Sequence, residues 1–185
     1  MIRFFGHWLA DCFRLTCALA GALLFMQIPA LTHAYSVALL QVAQEGRRDI
    51  DRRETDARRY YHLSPDTGDQ AVIDALHPVE PSNAETLRQS LAREAMFSAT
   101  QANIAGASLF TQPITAAWDA LMHPEADKLA VLRISFLTYT PQVTLDVAAI
   151  VYGVLGLLLG GLLGHTLSAI PSAFTASRPR SRRTA

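Results

Sequence analysis

Residues 143–170 read VTLDVAAIVYGVLGLLLGGLLGHTLSAI, and glycine recurs in this run at every fourth position: Gly156, Gly160 and Gly164. No residue from Val147 to Leu163 carries a charge. A helix crossing the hydrocarbon core of a bilayer needs about 20 predominantly apolar residues, so this run constrains the class of chain more than any other feature. A second apolar run, Leu15 to Leu31, lies near the other end. The expected fold is all-α: two transmembrane helices flanking a helical extramembrane region. The expected divisions are an N-terminal anchor over 1–35, a helical extramembrane region over 36–140, a C-terminal transmembrane helix over 141–170 and a basic, disordered tail over 171–185.

The four-residue spacing places Gly156, Gly160 and Gly164 on one stripe of the second span, with Gly153 near its start. In lipid no hydrophobic force favours a helix neighbour over an acyl chain. Small residues therefore drive association by letting backbones approach. Cys17, Ala18, Gly21 and Ala22 give the first span a comparable small face. Two arrangements follow: the spans pack on each other along these faces, or the stripe pairs copies of the chain.

The first run admits two readings. Arg3 and Arg14, the apolar stretch and Thr32-His33-Ala34 before Tyr35 resemble a secretory signal with a small-x-small cleavage site. Asp11 interrupts its basic region, however, and Thr rather than Ala stands three residues before the cut, so an uncleaved anchor is the expectation. Phe4, Phe5 and Trp8 before the span, and Tyr35 after it, suit the aromatic belts of a bilayer. Pro29 is expected to bend or end the helix. Beyond it, residues 35–61 read as a helix continuing into water, with acids and arginines at three- and four-residue spacings: Asp49 with Arg52 and Arg53, Glu54 with Arg58, Asp56 with Arg59.

Residues 62–81 are broken by Pro65, Gly68, Pro78 and Pro81, leaving room for one short helix, Gln70 to Leu76. Ser82-Asn83-Ala84-Glu85 has capping-box spacing and opens a helix expected to reach about Ser108, with Leu87, Leu91, Ala95 and Ala102 among its apolar positions. Pro113 and Pro124 precede two more segments, Ile114 to Leu121 and Ala126 to Leu137. The region is helix after helix without strand alternation. Its apolar stripe is thin and alanine-rich, which predicts helices that lean on one another rather than an enzyme-sized cleft.

Net charge is zero over 185 residues, but it is unevenly placed: ten basic and 14 acidic residues fall between 41 and 140, while Arg178, Arg180, Arg182 and Arg183 crowd the tail. A nucleic-acid surface calls for a strongly basic domain, so no nucleic-acid partner is expected. The expected partners are membrane lipids and a second copy or another membrane protein. Cys12 and Cys17, five residues apart on a helix, point to different faces and suit neither a disulfide nor a metal spacing. His7, His33, His62, His77, His123 and His165 are scattered, and no metal, nucleophile or phosphate-binding motif is present. The chain is expected to be non-enzymatic and to need no cofactor or metal. Asp146 is the most suggestive ionisable group, because it enters the second span, where the positive end of the helix dipole accommodates it. A polar contact through Asp146 and Gln27 is the rival to that structural role.

Arginines just past the second span favour a cytoplasmic C-terminus and, with two spans, a cytoplasmic N-terminus; the middle region then faces the other side. Leu24-Phe25-Met26-Gln27-Ile28-Pro29-Ala30-Leu31 with Tyr35 soon after, and Phe136, Thr140-Pro141 and Val143-Thr144-Leu145-Asp146 followed by Gly153, Gly156 and Gly160, together resemble domain-of-unknown-function family 2937 of Gram-negative bacteria. That family has an acidic residue near Asp146 and a proline where this chain has Val143. The resemblance spans nearly the whole chain and implies an inner-membrane protein with two spans around a helical region. No activity comes with it. The function expected is an accessory or scaffold role through helix contacts. The alternative is a transport- or sensing-related component in which Asp146, Gln27 and His33 line a polar path.

Overall fold

The computed structural model describes the backbone of residues 2–141 and 146–176, and side chains over 8–141 and 146–168. Phe4, Phe5, Val143, Thr144, Leu145 and the tail arginines, on which several expectations rest, therefore lie outside the described side chains. Six helices occur among the described residues: α1 (Ile2–Tyr60), α2 (Asp69–Leu76), α3 (Pro81–Gly106), α4 (Gln112–Met122), α5 (Ala126–Thr138) and α6 (Val147–Ala176). The chain is all-α, with no strand among the described residues. Two stretches, Trp8–Tyr60 and Val147–Ser168, are long and apolar enough to cross a membrane.

The chain divides into two compact units: residues 1–30 with 140–185, and residues 31–139. Pro29 does not end α1, which continues to Tyr60. Proline removes the N–H that would bond the Phe25 carbonyl and crowds that carbonyl with its ring, a defect that long apolar helices absorb by local adjustment. α6 begins at Val147 and carries residues 171–176 as helix rather than as tail.

The 31–139 unit is built on the second half of α1, which continues as a helix to Tyr60 and leans one face on its neighbours. Tyr35, Leu39, Ala43, Ile50 and Ala57 are buried. They recur at intervals of four and seven, the period at which helix faces meet partners. Tyr35, Leu39 and Ala43 pack with Phe97, Ile104 and Ala116, flanked by Val131 and Leu132. Further along, Ile50 and Ala57 pack with Val72, Ile73 and Leu76 of α2 and with Ala84 and Leu87 of α3. Of the spaced ion pairs, Arg53–Asp49 closes at 2.7 Å and Arg58–Glu54 at 3.0 Å, but Arg47 reaches both Asp51 at 3.0 Å and Asp69 of α2 at 2.8 Å.

α3 also departs from its expected start and face. It opens at Pro81, whose ring suits the first helical turn, and Glu80 takes the position before it, its carboxylate accepting from Asn83 Nδ2 at 2.9 Å. Ser82 is thus inside the helix, not at a capping box. Ala95 and Ala102 are exposed, while Phe97 and Ile104, seven residues apart, turn inward with Ala84 and Leu87. Residues seven apart share a helix face, and the larger side chains win the buried one because they remove more apolar area from water.

Candidate functional site

Within the unit formed by residues 1–30 and 140–185, the small residues of α1 and α6 meet. Gly153, Gly156, Gly160 and Gly164 are all buried, and the positions between them, including Leu155, Leu158, Leu159 and Leu162, are exposed. α6 thus turns its glycine stripe inward and its leucines outward.

The approach is close enough to exclude side chains. A methyl group built on Gly160 would meet the Cys17 carbonyl oxygen and lie 3.1 Å from its carbon and 3.2 Å from the Ala18 Cα. On Gly156 it would meet the Gly21 carbonyl oxygen and lie 2.6 Å from the Phe25 Cβ; on Gly21 it would meet the Gly156 carbonyl oxygen. On Gly153 it would lie 2.7 Å from the Met26 Cγ and 3.9 Å from the Ala22 carbonyl oxygen, and on Gly164 3.0 Å from both the Arg14 Cα and the Cys17 Cβ. Numbers rise along α6 as they fall along α1, so the seam is antiparallel. Gly161 differs: its methyl would find Ala18 Cβ at an ordinary 3.8 Å. Backbones in contact without intervening side chains gain dispersion and weak Cα–H to carbonyl contacts that lipid cannot supply.

Cys17, Ala18, Gly21 and Ala22 are thus placed against the α6 stripe, while the seam also uses three residues the spacing did not mark. Phe25 and Met26 wedge against Gly156 and Gly153. Arg14 Nε donates to Ser168 Oγ at 3.0 Å, and Arg14 Nη1 reaches Asp11 at 3.3 Å, so one cation ties the two helices through a neutral hydroxyl. Its only sequence signal was a charge inside an otherwise apolar stretch. The two thiols are free.

Asp146 holds a structural position. Its backbone carbonyl accepts the first helical bond of α6, from Ile150 N–H at 3.0 Å, and its Oδ1 accepts the Val147 N–H at 2.7 Å. An N-terminal carboxylate satisfies a donor the helix would otherwise leave open and meets the positive end of its dipole. Gln27 is half-buried and has an interaction of its own, and His33 is exposed.

The 31–139 unit holds an ionic cluster where α1 meets α2, and a groove beside it. Glu54 is 1% exposed. Its Oε2 meets Arg58 at 3.0 Å, Arg58 also donates to the Thr67 carbonyl at 2.7 Å, and Glu54 Oε1 has no partner. Burial, then the neighbouring Asp69 carboxylate, pushes Glu54 above the usual glutamate range, against the pull of Arg58 and Arg47. Asp69 is held below the usual range, first by its hydrogen bond from Arg47. An open groove of about 800 Å³ runs past Arg53, Arg59, Tyr61, Leu76 and Glu80. Across it Tyr61 Oη donates to Glu80 Oε1 at 2.6 Å, which pushes the phenol up to about 12 and holds Glu80 down. Both groups are thereby committed to each other and to the start of α3. No group of three or more His, Cys, Asp or Glu side chains is placed to hold a metal ion among the described residues.

No curated protein and no solved structure matches the chain. The profile of one family does, that described as Protein of unknown function (DUF2937), and it covers residues 9–177, from the start of the first apolar stretch to beyond α6. With both halves of the glycine seam and the whole intervening helical unit inside that match, the chain belongs to the DUF2937 family.

Proposed function

We propose that this protein is a two-span component of the bacterial inner membrane that acts without enzymatic chemistry, as an accessory or scaffold subunit working through helix contacts. The observation that carries the reading is the antiparallel seam at Gly21, Gly156 and Gly160, where a single added methyl would overlap backbone. Such a seam holds the two spans together as a pair. Asp146 acting as a helix cap through Oδ1 supports a structural over a transport role.

The seam is tested by a disulfide. With Cys12 and Cys17 changed to Ser, Ala18→Cys and Gly161→Cys place two Cβ atoms at the 3.8 Å that a disulfide favours. Mild oxidation of the full chain in membranes should give an intramolecular crosslink, and adding Gly160→Leu should abolish most of it. A crosslink formed between two chains instead would transfer the seam to a dimer. No crosslink in either form would sink the reading.

The arginines at 178–183 support cytoplasmic termini, with the helical unit on the periplasmic side. Ser64→Cys, at an exposed loop position and again without the native cysteines, should then react with a membrane-impermeant maleimide in intact spheroplasts. Reaction only after lysis would reverse the topology.

A further inference from the structure

Helix α5 carries apolar side chains outward as well as inward, where Val131 and Leu132 pack on the core. Its buried residues are Lys128 and Ser135, while Ile134, Phe136 and Leu137 are 61%, 65% and 73% exposed. Lys128 tolerates burial because its Nζ lies 3.1 Å from Asp119 and 3.6 Å from Glu125. α4 does the same on its outer side, where Ile114, Trp118, Leu121 and Met122 recur at four-, seven- and eight-residue offsets and all stand exposed. Along α5, Ala126, Leu129, Ala130, Arg133, Ile134 and Leu137 line an apolar groove of about 540 Å³. A helix facing water puts its apolar stripe inward. Large apolar side chains standing exposed on one helix face, as on α4 and again along α5, are of the kind that marks a membrane or protein contact.

We propose that the outer face of α4 and α5 lies in the interfacial layer of the bilayer, its apolar side chains at the level of the acyl-chain ends and Arg133 against anionic headgroups. This rests on the reading of the chain as membrane-spanning.

Three observations select lipid as the occupant. The chain itself keeps the face within reach. Only eight residues separate Thr138 at the end of α5 from Val147 at the start of α6, a link of about 30 Å at full stretch. At the other side, α4 and α5 pack through Ala116, Val131 and Leu132 on Tyr35, Leu39 and Ala43. Those residues begin four positions after Leu31, where the first apolar run ends, or about 6 Å of helix rise. The composition fits as well, since Trp118 is of the type that gathers at the headgroup level and Phe136 is an apolar ring suited to the acyl boundary beneath it. Charge complements it: Arg133 is the one charged residue lining the α5 groove and forms no ion pair among the described residues, whereas Asp127 is engaged by Arg93 at 2.9 Å. A long cationic side chain can lay its stem along apolar surface and extend its head to phosphate.

The two tryptophans, Trp8 and Trp118, allow the test in the full chain. Trp8→Phe leaves Trp118 as reporter, and Trp118→Phe leaves Trp8, which reports on the first span. Both are reconstituted in vesicles of phosphatidylcholine and phosphatidylglycerol carrying bromines on the upper acyl chain. Trp118 should lose most of its emission to the brominated lipid and little to aqueous iodide. Leu137→Glu, at a position too exposed to unfold the chain, should reverse that preference. Trp118 open to iodide and untouched by brominated lipid would overturn the proposal; so would protection from both quenchers, which would assign the face to a second copy. Trp8 untouched by brominated lipid would instead bring down the membrane-spanning reading, and the proposal with it.

Discussion

Glu54 is the residue on which the helical unit is least at ease. As a carboxylate it buries an oxygen, Oε1, that no donor reaches; as an acid it can donate to Asp69 from the same place. Its folded-state pKa lies above the ordinary 4.5, so the fold holds a proton that the unfolded chain releases. Any stability gained this way is complete below about pH 4.5 and is lost as pH rises through the raised value. Asp69 works in the opposite sense, its contribution being present above 3.8 and lost as pH falls through its lowered pKa. Glu54→Gln supplies a permanent N–H to Asp69 without the buried charge. It should stabilise the protein by about 1 kcal/mol near neutral pH, and thermal melts should show the gain shrinking towards pH 4.5. A melting temperature lowered at neutral pH would mean that the Arg58 pair outweighs the buried charge. The sequence showed Glu54 and Arg58 as a helical pair four residues apart, but not that the pair faces α2, because that depends on a contact between separate helices.

Among the elements, those bounded by proline and glycine were the most readable. α2, α4 and α5 begin and end within a residue or two of where Gly68, Pro113 and Pro124 place them, since these residues act on their own backbone. Faces were harder to read. Ala95 and Ala102 share a helix face as cleanly as Phe97 and Ile104 do, and only the fit against α1 decides which pair is buried. On α6 the glycine spacing marks which face is small, but spacing within one helix carries no information about register with another. Hence Phe25, Met26 and Arg14 were not legible as seam residues. Phe97 is 1% exposed, and Phe97→Ala should cost about 3–5 kcal/mol in chemical unfolding. The Ala18–Gly161 disulfide yield should be unchanged by it, because that seam has its own contacts. A parallel loss of both would show that the two units do not hold their cores separately.

For the molecule as a whole, the all-α class was legible because helical spacing runs through the chain without strand alternation, and the two apolar runs mark the two helices long and apolar enough to cross a membrane. The way charge is spent was less so. The chain has a single lysine, Lys128, and the fold leaves it 4% exposed between Asp119 and Glu125. A protease that cuts only after lysine therefore has one target in the entire chain, and the folded state hides it. Cleavage into two fragments can occur only when α5 lifts from α4, so its rate, followed on a gel, is a built-in clock for that opening. Lys128→Arg should leave such a protease without any site while trypsin still cuts at exposed arginines. Should lysine-specific cleavage of the native protein instead run as fast as cleavage of the denatured chain, α5 is not held where its ion pairs place it.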